Sequence, residues 1–105
     1  MTEATKKLQG KAAEFARLLH DHLPQVRERY GVTYLGVFGS YVRGEDRQGS
    51  DLDLLVEFEQ APSMFQFIDL QEYLSDLLGV KVDLVMQRAL KPGIGQRILA
   101  EVVAV

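Results

Sequence analysis

The sequence predicts a single α+β domain over residues 1–105, because strand patterns and helix patterns alternate along one short chain. Three segments are apolar or alternate between apolar and polar residues, as strands do, and the segments around them carry apolar residues at helical spacing. Apolar residues make up 47% and charged residues 26% of the chain, as in ordinary globular proteins. Cysteine is absent, which excludes a disulfide framework and a thiolate metal site.

The charge pattern and the hydropathy narrow the function classes. The net charge is -3, and the basic residues are scattered among acids, so no direct binding of nucleic acid is expected. A nucleotide triphosphate remains compatible with this charge, because metal ions would neutralise its phosphates. The N-terminal residues lead into no apolar run of signal-peptide length, and no run is long enough to cross a bilayer. We therefore expect a cytoplasmic protein without a membrane partner.

The N-terminal third is predicted to be helical. Residues 3–22 carry apolar side chains at helical spacing, and Pro24 is expected to break this helix and to begin a short second helix. Gly31 should end that second helix. His20 and His22 are two positions apart and so lie on different sides of a helix, which favours a structural or solvated role over metal binding.

Two strands are predicted to flank a polar loop. Val32–Phe38 is apolar on both faces toward its end and is expected to lie centrally in a sheet. A short helical turn is expected over Ser40–Gly44. The second strand, Asp51–Glu59, alternates between apolar and acidic residues. Its core face is predicted to comprise Leu52, Leu54, Val56 and Phe58. Its other face carries Asp51, Asp53, Leu55, Glu57 and Glu59. We expect the last two acids to be solvated.

The C-terminal half continues with a helix, a strand and a helix. Ser63 and Gln66 form a capping-box pattern that begins a helix ending near Leu78. Within this helix, Phe65 and Tyr73 are interpreted as packing residues at the core or its edge.

A third strand is predicted over Val80–Met86, with Asp83 on the side opposite the core. Pro92 should begin a last helix that ends near Glu101, and an apolar tail, 102–105, follows it.

The candidate functional residues lie in the segment around the first two predicted strands. Gly39 and Ser40 follow the first strand and let backbone approach a ligand closely. Asp51 and Asp53 are two positions apart on a strand, so their side chains share a face. Paired carboxylates beside a glycine–serine turn suit a divalent metal that carries a phosphate chain. Asp51 alone would equally serve as a turn cap.

The sequence supports two interpretations of Arg43 in the intervening loop. Its guanidinium suits a phosphate, which would make it a nucleotide-binding residue. It would equally pair with Glu45 or Asp46 at the surface.

The Gly39-Ser40 pair, the Arg43-Gly44 loop, the Asp51-x-Asp53 pair and the later Asp83 together resemble the polymerase-beta-like nucleotidyltransferase superfamily. Within it, the chain is similar to the minimal nucleotidyltransferases (MNT) that are encoded beside HEPN-domain partners. The resemblance implies a small mixed β-sheet with helices packed against it.

The resemblance also implies roles for individual residues. Gly39 and Ser40 would hold the triphosphate of ATP, and Asp51 and Asp53 would coordinate two Mg²⁺ ions. Asp83 would complete one metal site and help to deprotonate the attacking hydroxyl. Two metals can stabilise the entering and the departing oxygens of an in-line displacement.

We therefore expect a magnesium-dependent nucleotidyltransferase that moves AMP from ATP to a hydroxyl group. The resemblance implies that the hydroxyl is a tyrosine of a HEPN toxin, which would make this chain an antitoxin. One alternative is a non-catalytic module that neutralises its partner by stoichiometric contact, favoured if the last helix and the tail expose apolar surface. Another is transfer to a small molecule, which the lack of a recognisable substrate domain disfavours.

Overall fold

A computed structural model describes residues 8–105 of the chain. Residues 3–7 of the predicted first helix lie outside this range. In chain order the elements are α1 Gly10–Tyr30, β1 Val32–Phe38, α2 Ser40–Arg43, β2 Leu52–Phe58, α3 Met64–Leu78, β3 Val82–Met86, a 3-10 turn Gln87–Ala89, α4 Ile94–Glu101 and β4 Val103–Ala104.

The strands form one four-stranded mixed sheet in the order β3-β2-β1-β4. β1 is antiparallel to both β2 and β4, whereas β2 and β3 are parallel. The predicted α+β fold with a mixed sheet is confirmed. The strand β4 was not predicted, because a two-residue strand has no alternation to recognise and exists only through its pairing with β1. There Gly36 lies opposite Ala104, and Val37 lies opposite Val103.

The predicted break at Pro24 is wrong. α1 continues through this proline to Tyr30, and Gly31 ends it in the left-handed conformation. The apolar stripe explains the continuity, since Leu19, Leu23 and Val26 are all buried on both sides of the proline. Packing of an amphipathic face therefore outweighs the lost backbone hydrogen bond. No helix within residues 8–105 combines the length and the apolar character needed to cross a membrane.

The helix α3 confirms its predicted start. Ser63 accepts a hydrogen bond from the Gln66 N–H at 3.1 Å, and the Gln66 side chain accepts one from the Ser63 N–H at 2.9 Å. Leu70 is fully buried, and Tyr73 packs at the edge of the core. The packing role predicted for Phe65 is wrong, because 86% of this residue is exposed. It lies five positions before Leu70, which turns it roughly 140° away from the buried stripe.

Two predictions for the second face of β2 need correction. The alternation of β2 predicts that Leu55 lies on a polar face, but Leu55 is fully buried. It pairs with Gly36 of β1, where an added Cβ would lie 2.6 Å from Val102 Cγ2, so the chain after α4 covers this part of the sheet. Glu57 is not simply solvated, because Arg88 of the 3-10 turn donates a hydrogen bond to its carboxylate at 2.8 Å. Both differences arise from segments that are remote in sequence.

Candidate active site

The turn after β1 requires a glycine. Gly39 has φ 85° and ψ -155°, a combination that residues with a side chain rarely adopt. A Cβ at this position would also overlap Asp53 Oδ2 and lie 3.0 Å from Asp53 Cγ. The turn thus brings the backbone of Gly39 directly against the Asp53 carboxylate. Ser40 then begins the short helix α2, as predicted, and is half-buried.

The three predicted aspartates come from two neighbouring parallel strands. Asp53 and Asp83 are register partners in β2 and β3, so their side chains share one face of the sheet. Asp51 lies just before β2, two positions from Asp53. Its carboxylate is 4.0 Å from Lys81 Nζ, an exposed contact that the sequence did not reveal. Asp53 is half-buried, whereas Asp51 and Asp83 are exposed.

The surroundings of Asp53 disfavour its negative charge. Burial raises the pKa of the Asp53 carboxyl, and the neighbouring charges of Asp83 and Asp51 raise it further. Such mutual repulsion is what a bound cation would relieve, and carboxylate oxygens are the ligands that magnesium prefers. The donor chemistry therefore fits a divalent cation. No group of three His, Cys, Asp or Glu side chains among residues 8–105 is already gathered as a ready-made metal site.

Arg43 satisfies its predicted surface pairing and also points into the site. Its Nε donates a hydrogen bond to Glu45 Oε1 at 2.9 Å, which is one of the two interactions that the sequence predicts for Arg43. Its Nη1 donates to Glu101 Oε1 at 2.6 Å. The other carboxylate oxygen of Glu101 accepts a hydrogen bond from the Gly39 N–H at 2.8 Å.

Glu101 is the site residue that sequence reasoning missed. It is the last residue of α4, and its position in the sequence predicts only the end of a helix. It lies 62 residues from Gly39 in the chain, so no local pattern links the two.

A cavity of about 410 Å³ unites part of the predicted set. Gly39, Arg43 and Asp53 line it, together with Glu101. Its remaining lining residues are Phe38, Ile94, Arg97 and Ile98. Ser40, Asp51 and Asp83 do not line this cavity. The cavity therefore combines an apolar wall, two guanidinium groups and two carboxylates. The apolar wall suits an apolar ring of a ligand, and the guanidinium groups suit its anionic groups.

Known proteins match most of this chain. Residues 19–105 match the family model of the nucleotidyltransferase domain. The MntA protein adenylyltransferase of Thermococcus cleftensis is 54% identical over 92 residues, which cover 88% of this chain and 93% of that protein.

Solved structures agree with this match. A structure assigned to a minimal nucleotidyltransferase superposes with a TM-score of 0.74 at 38% identity, over 88% of this chain and 94% of that chain. A toxin–antitoxin structure with AMP-PNP superposes with a TM-score of 0.64 at 25% identity, over 84% of this chain and 66% of that chain. This chain therefore belongs to the nucleotidyltransferase domain family, as its glycine–serine turn and its ordered aspartates predicted.

Proposed function

We propose that this chain is an antitoxin that transfers AMP from ATP to a hydroxyl group of a partner protein in the cytoplasm. The observation that carries the proposal is the direct approach of the Gly39 backbone to Asp53, with Asp83 beside it in register. The similarity to a protein adenylyltransferase supports the transferred group. The similarity to a toxin–antitoxin structure supports a protein as the acceptor. The resemblance to the minimal nucleotidyltransferases makes a HEPN toxin, modified on a tyrosine, the proposed partner.

In this mechanism the phosphates bind beside the glycine turn. The N–H of Gly39 and the hydroxyl of Ser40 would donate to phosphate oxygens, and the Arg43 guanidinium would neutralise part of their charge. Asp51, Asp53 and Asp83 would hold the magnesium ions. When bound, these ions would supply positive charge to the phosphates.

Asp83 is positioned to act on the hydroxyl group that accepts the AMP. It is exposed and adjacent to Asp53, so a hydroxyl group of a partner can approach it from solvent. The acceptor oxygen would bond to the α-phosphorus, the bond to pyrophosphate would break, and Asp83 would help to remove the hydroxyl proton.

The test is transfer of label from [α-³²P]ATP to the product of the neighbouring gene, which we expect to be a HEPN protein, with magnesium present. Wild-type protein should label the partner on tyrosine, whereas Asp53→Asn should not. Asp76→Asn, which alters an exposed aspartate of α3, is the matched control and should label as wild type does. Absence of label with every nucleoside triphosphate would refute the proposed activity.

Magnesium binding can be tested separately by thermal melting. A cation that binds only the folded state stabilises it by RT ln(1 + [L]/Kd), which is about 2.7 kcal/mol at a hundredfold excess over Kd. Magnesium should therefore raise the melting temperature of wild-type protein more than that of Asp53→Asn. Equal shifts in both proteins would count against a site at these aspartates.

A second candidate function is neutralisation by contact alone. α4 exposes two large apolar residues, Ile94 at 61% and Leu99 at 47%, which a binding partner would cover. The double variant Asp51→Asn, Asp53→Asn separates the two functions. If it still neutralises the toxin, contact is sufficient; if neutralisation is lost while the partners still associate, the chemistry is required.

A further inference from the structure

Glu101 bridges two groups that the proposed function assigns to phosphate. One carboxylate oxygen accepts from the Gly39 N–H at 2.8 Å, and the other accepts from Arg43 Nη1 at 2.6 Å. The Glu101 side chain is only 21% exposed, compared with 60% for Glu45, the other acid that contacts Arg43. Glu101 is therefore an enclosed partner of these donors, unlike Glu45.

A carboxylate and a phosphate group compete for such donors. Both present oxygen acceptors of negative charge to N–H groups and to guanidinium, and a single backbone N–H serves one strong acceptor at a time. Glu101 also brings a negative charge to the cavity wall, where it adds to the effects that raise the pKa of Asp53. Its charge would repel an incoming triphosphate.

We propose that Glu101 is an internal occupant of the phosphate position, which a nucleotide must displace before its phosphate can contact Gly39 and Arg43. The free protein is thereby held in a state of low nucleotide affinity. This inference rests on the proposed function, because it assumes that a nucleotide phosphate uses these two donors.

The release is a movement of the Glu101 side chain and not of the whole helix end. The residues that follow are fixed to the sheet, since Val103 pairs with Val37 and the Val105 N–H donates to the Leu35 carbonyl at 3.1 Å. The Glu101 backbone is therefore anchored two residues from a β-ladder. Rotation of its side-chain torsions is enough to free the Gly39 N–H.

The test is the affinity for AMP-PNP with magnesium, measured by isothermal titration calorimetry on wild type, Glu101→Gln and Glu101→Ala. Both variants remove the competing charge, and they should bind AMP-PNP about 5- to 150-fold more tightly than wild type, the range of typical coupling between sites. Glu101→Gln keeps the size and an acceptor oxygen, so it should remain folded even if Glu101→Ala does not. Thermal melting checks the folding of each variant.

Glu45→Gln is the matched control. It removes an acid that contacts the same Arg43 at 2.9 Å but does not contact Gly39. Its affinity should stay within about twofold of wild type, because an exposed ion pair contributes little. If Glu45→Gln tightens AMP-PNP binding as much as Glu101→Gln does, the effect of Glu101 is a general charge effect and the inference is overturned.

The remaining outcomes separate the two proposals. If wild type binds AMP-PNP and Glu101→Gln binds equally or more weakly, Glu101 positions Arg43 instead of blocking it, and only this inference fails. If neither wild type nor any variant binds a nucleotide, the proposed function fails, and the inference fails with it.

Discussion

A methyl group at Gly39 should damage both the stability and the chemistry of this protein. In Gly39→Ala the backbone must keep φ near 85° and ψ near -155°, and the new Cβ must share its position with Asp53 Oδ2. Asp53 would have to rotate away from the turn. The substitution therefore tests whether the close approach of Gly39 and Asp53 organises the site.

The size of the effect follows from two contributions. The backbone strain should cost on the order of 1–3 kcal/mol. Rotation of Asp53 away from its preferred conformer should add roughly 0.5–1.5 kcal/mol. A total of about 1.5–4.5 kcal/mol would lower the melting temperature by on the order of 10–30 °C for a domain of this size. Displacement of the carboxylate by about 1 Å should reduce transfer to the partner by roughly 100-fold.

Gly44→Ala is the matched control, measured by the same circular-dichroism melts and labelling assay. Gly44 also has a positive φ of 72°, but a Cβ there would meet no atom within 4 Å. It should cost only about 1–2 kcal/mol, with little change in transfer. If Gly39→Ala and Gly44→Ala melt and transfer alike, the argument from the Asp53 contact is refuted.

A double-mutant cycle isolates the contact itself. Asp53→Ala removes the Oδ2 and Cγ atoms that the new methyl group would meet. It should therefore recover part of the stability lost in Gly39→Ala, which gives a favourable coupling between the two changes. Strict additivity of the two free-energy changes would mean that the methyl group and the carboxylate do not interact.

Three further predictions concern stability and ionisation. Leu70→Ala should lower the free energy of unfolding by about 2–5 kcal/mol in urea melts, because Leu70 is fully buried. Phe65→Ala in the same helix should change the free energy of unfolding little, because Phe65 is exposed. Equal losses would show that burial does not determine how much these side chains stabilise the fold. Burial raises the pKa of Glu57, but hydrogen bonds from the Phe58 N–H and from Arg88 outweigh it and lower the pKa below 4.5. The ion pair between Glu57 and Arg88 therefore stabilises the fold above pH 4.5, and this stabilisation is lost as the pH falls through the folded pKa. The difference in free energy of unfolding between wild type and Arg88→Ala, roughly 1 kcal/mol at pH 7, should shrink at pH 3. A difference that stays constant with pH would contradict this. Burial and the 2.7 Å hydrogen bond to Asp69 raise the pKa of Tyr30 to about 12, so Asp69→Asn should shift one phenol to lower pH in an ultraviolet titration; an unchanged curve would disprove the coupling.

Local patterns anticipated most of the elements and some of their ends. The capping box at Ser63 and the glycine after Tyr30 were readable, because each satisfies backbone groups within a few residues. The predicted break at Pro24 is wrong because the local penalty of a proline is smaller than the stabilisation from burying Leu23 and Val26 in the core. Where local preference and burial disagree, burial decides.

The candidate site was likewise only partly predictable from local sequence patterns. The spacing of Asp51 and Asp53 places both carboxylates on one face of a strand wherever that strand lies. Their relation to Asp83 depends on the parallel register of β2 and β3, which no local spacing encodes. Strand alternation predicted that Asp83 lies on the side opposite the core, and only the resemblance to a family assigned it to the site.

The sequence by itself determined the alternation of the strands and the helix ends at Ser63 and Gly31, because these depend on steric and hydrogen-bonding preferences within a few residues. Only the tertiary structure decided that Glu101 would hold the Gly39 N–H and Arg43, and that 103–104 would become a strand. Those contacts join residues far apart in the chain, and they form only when burial of the shared core brings their elements together.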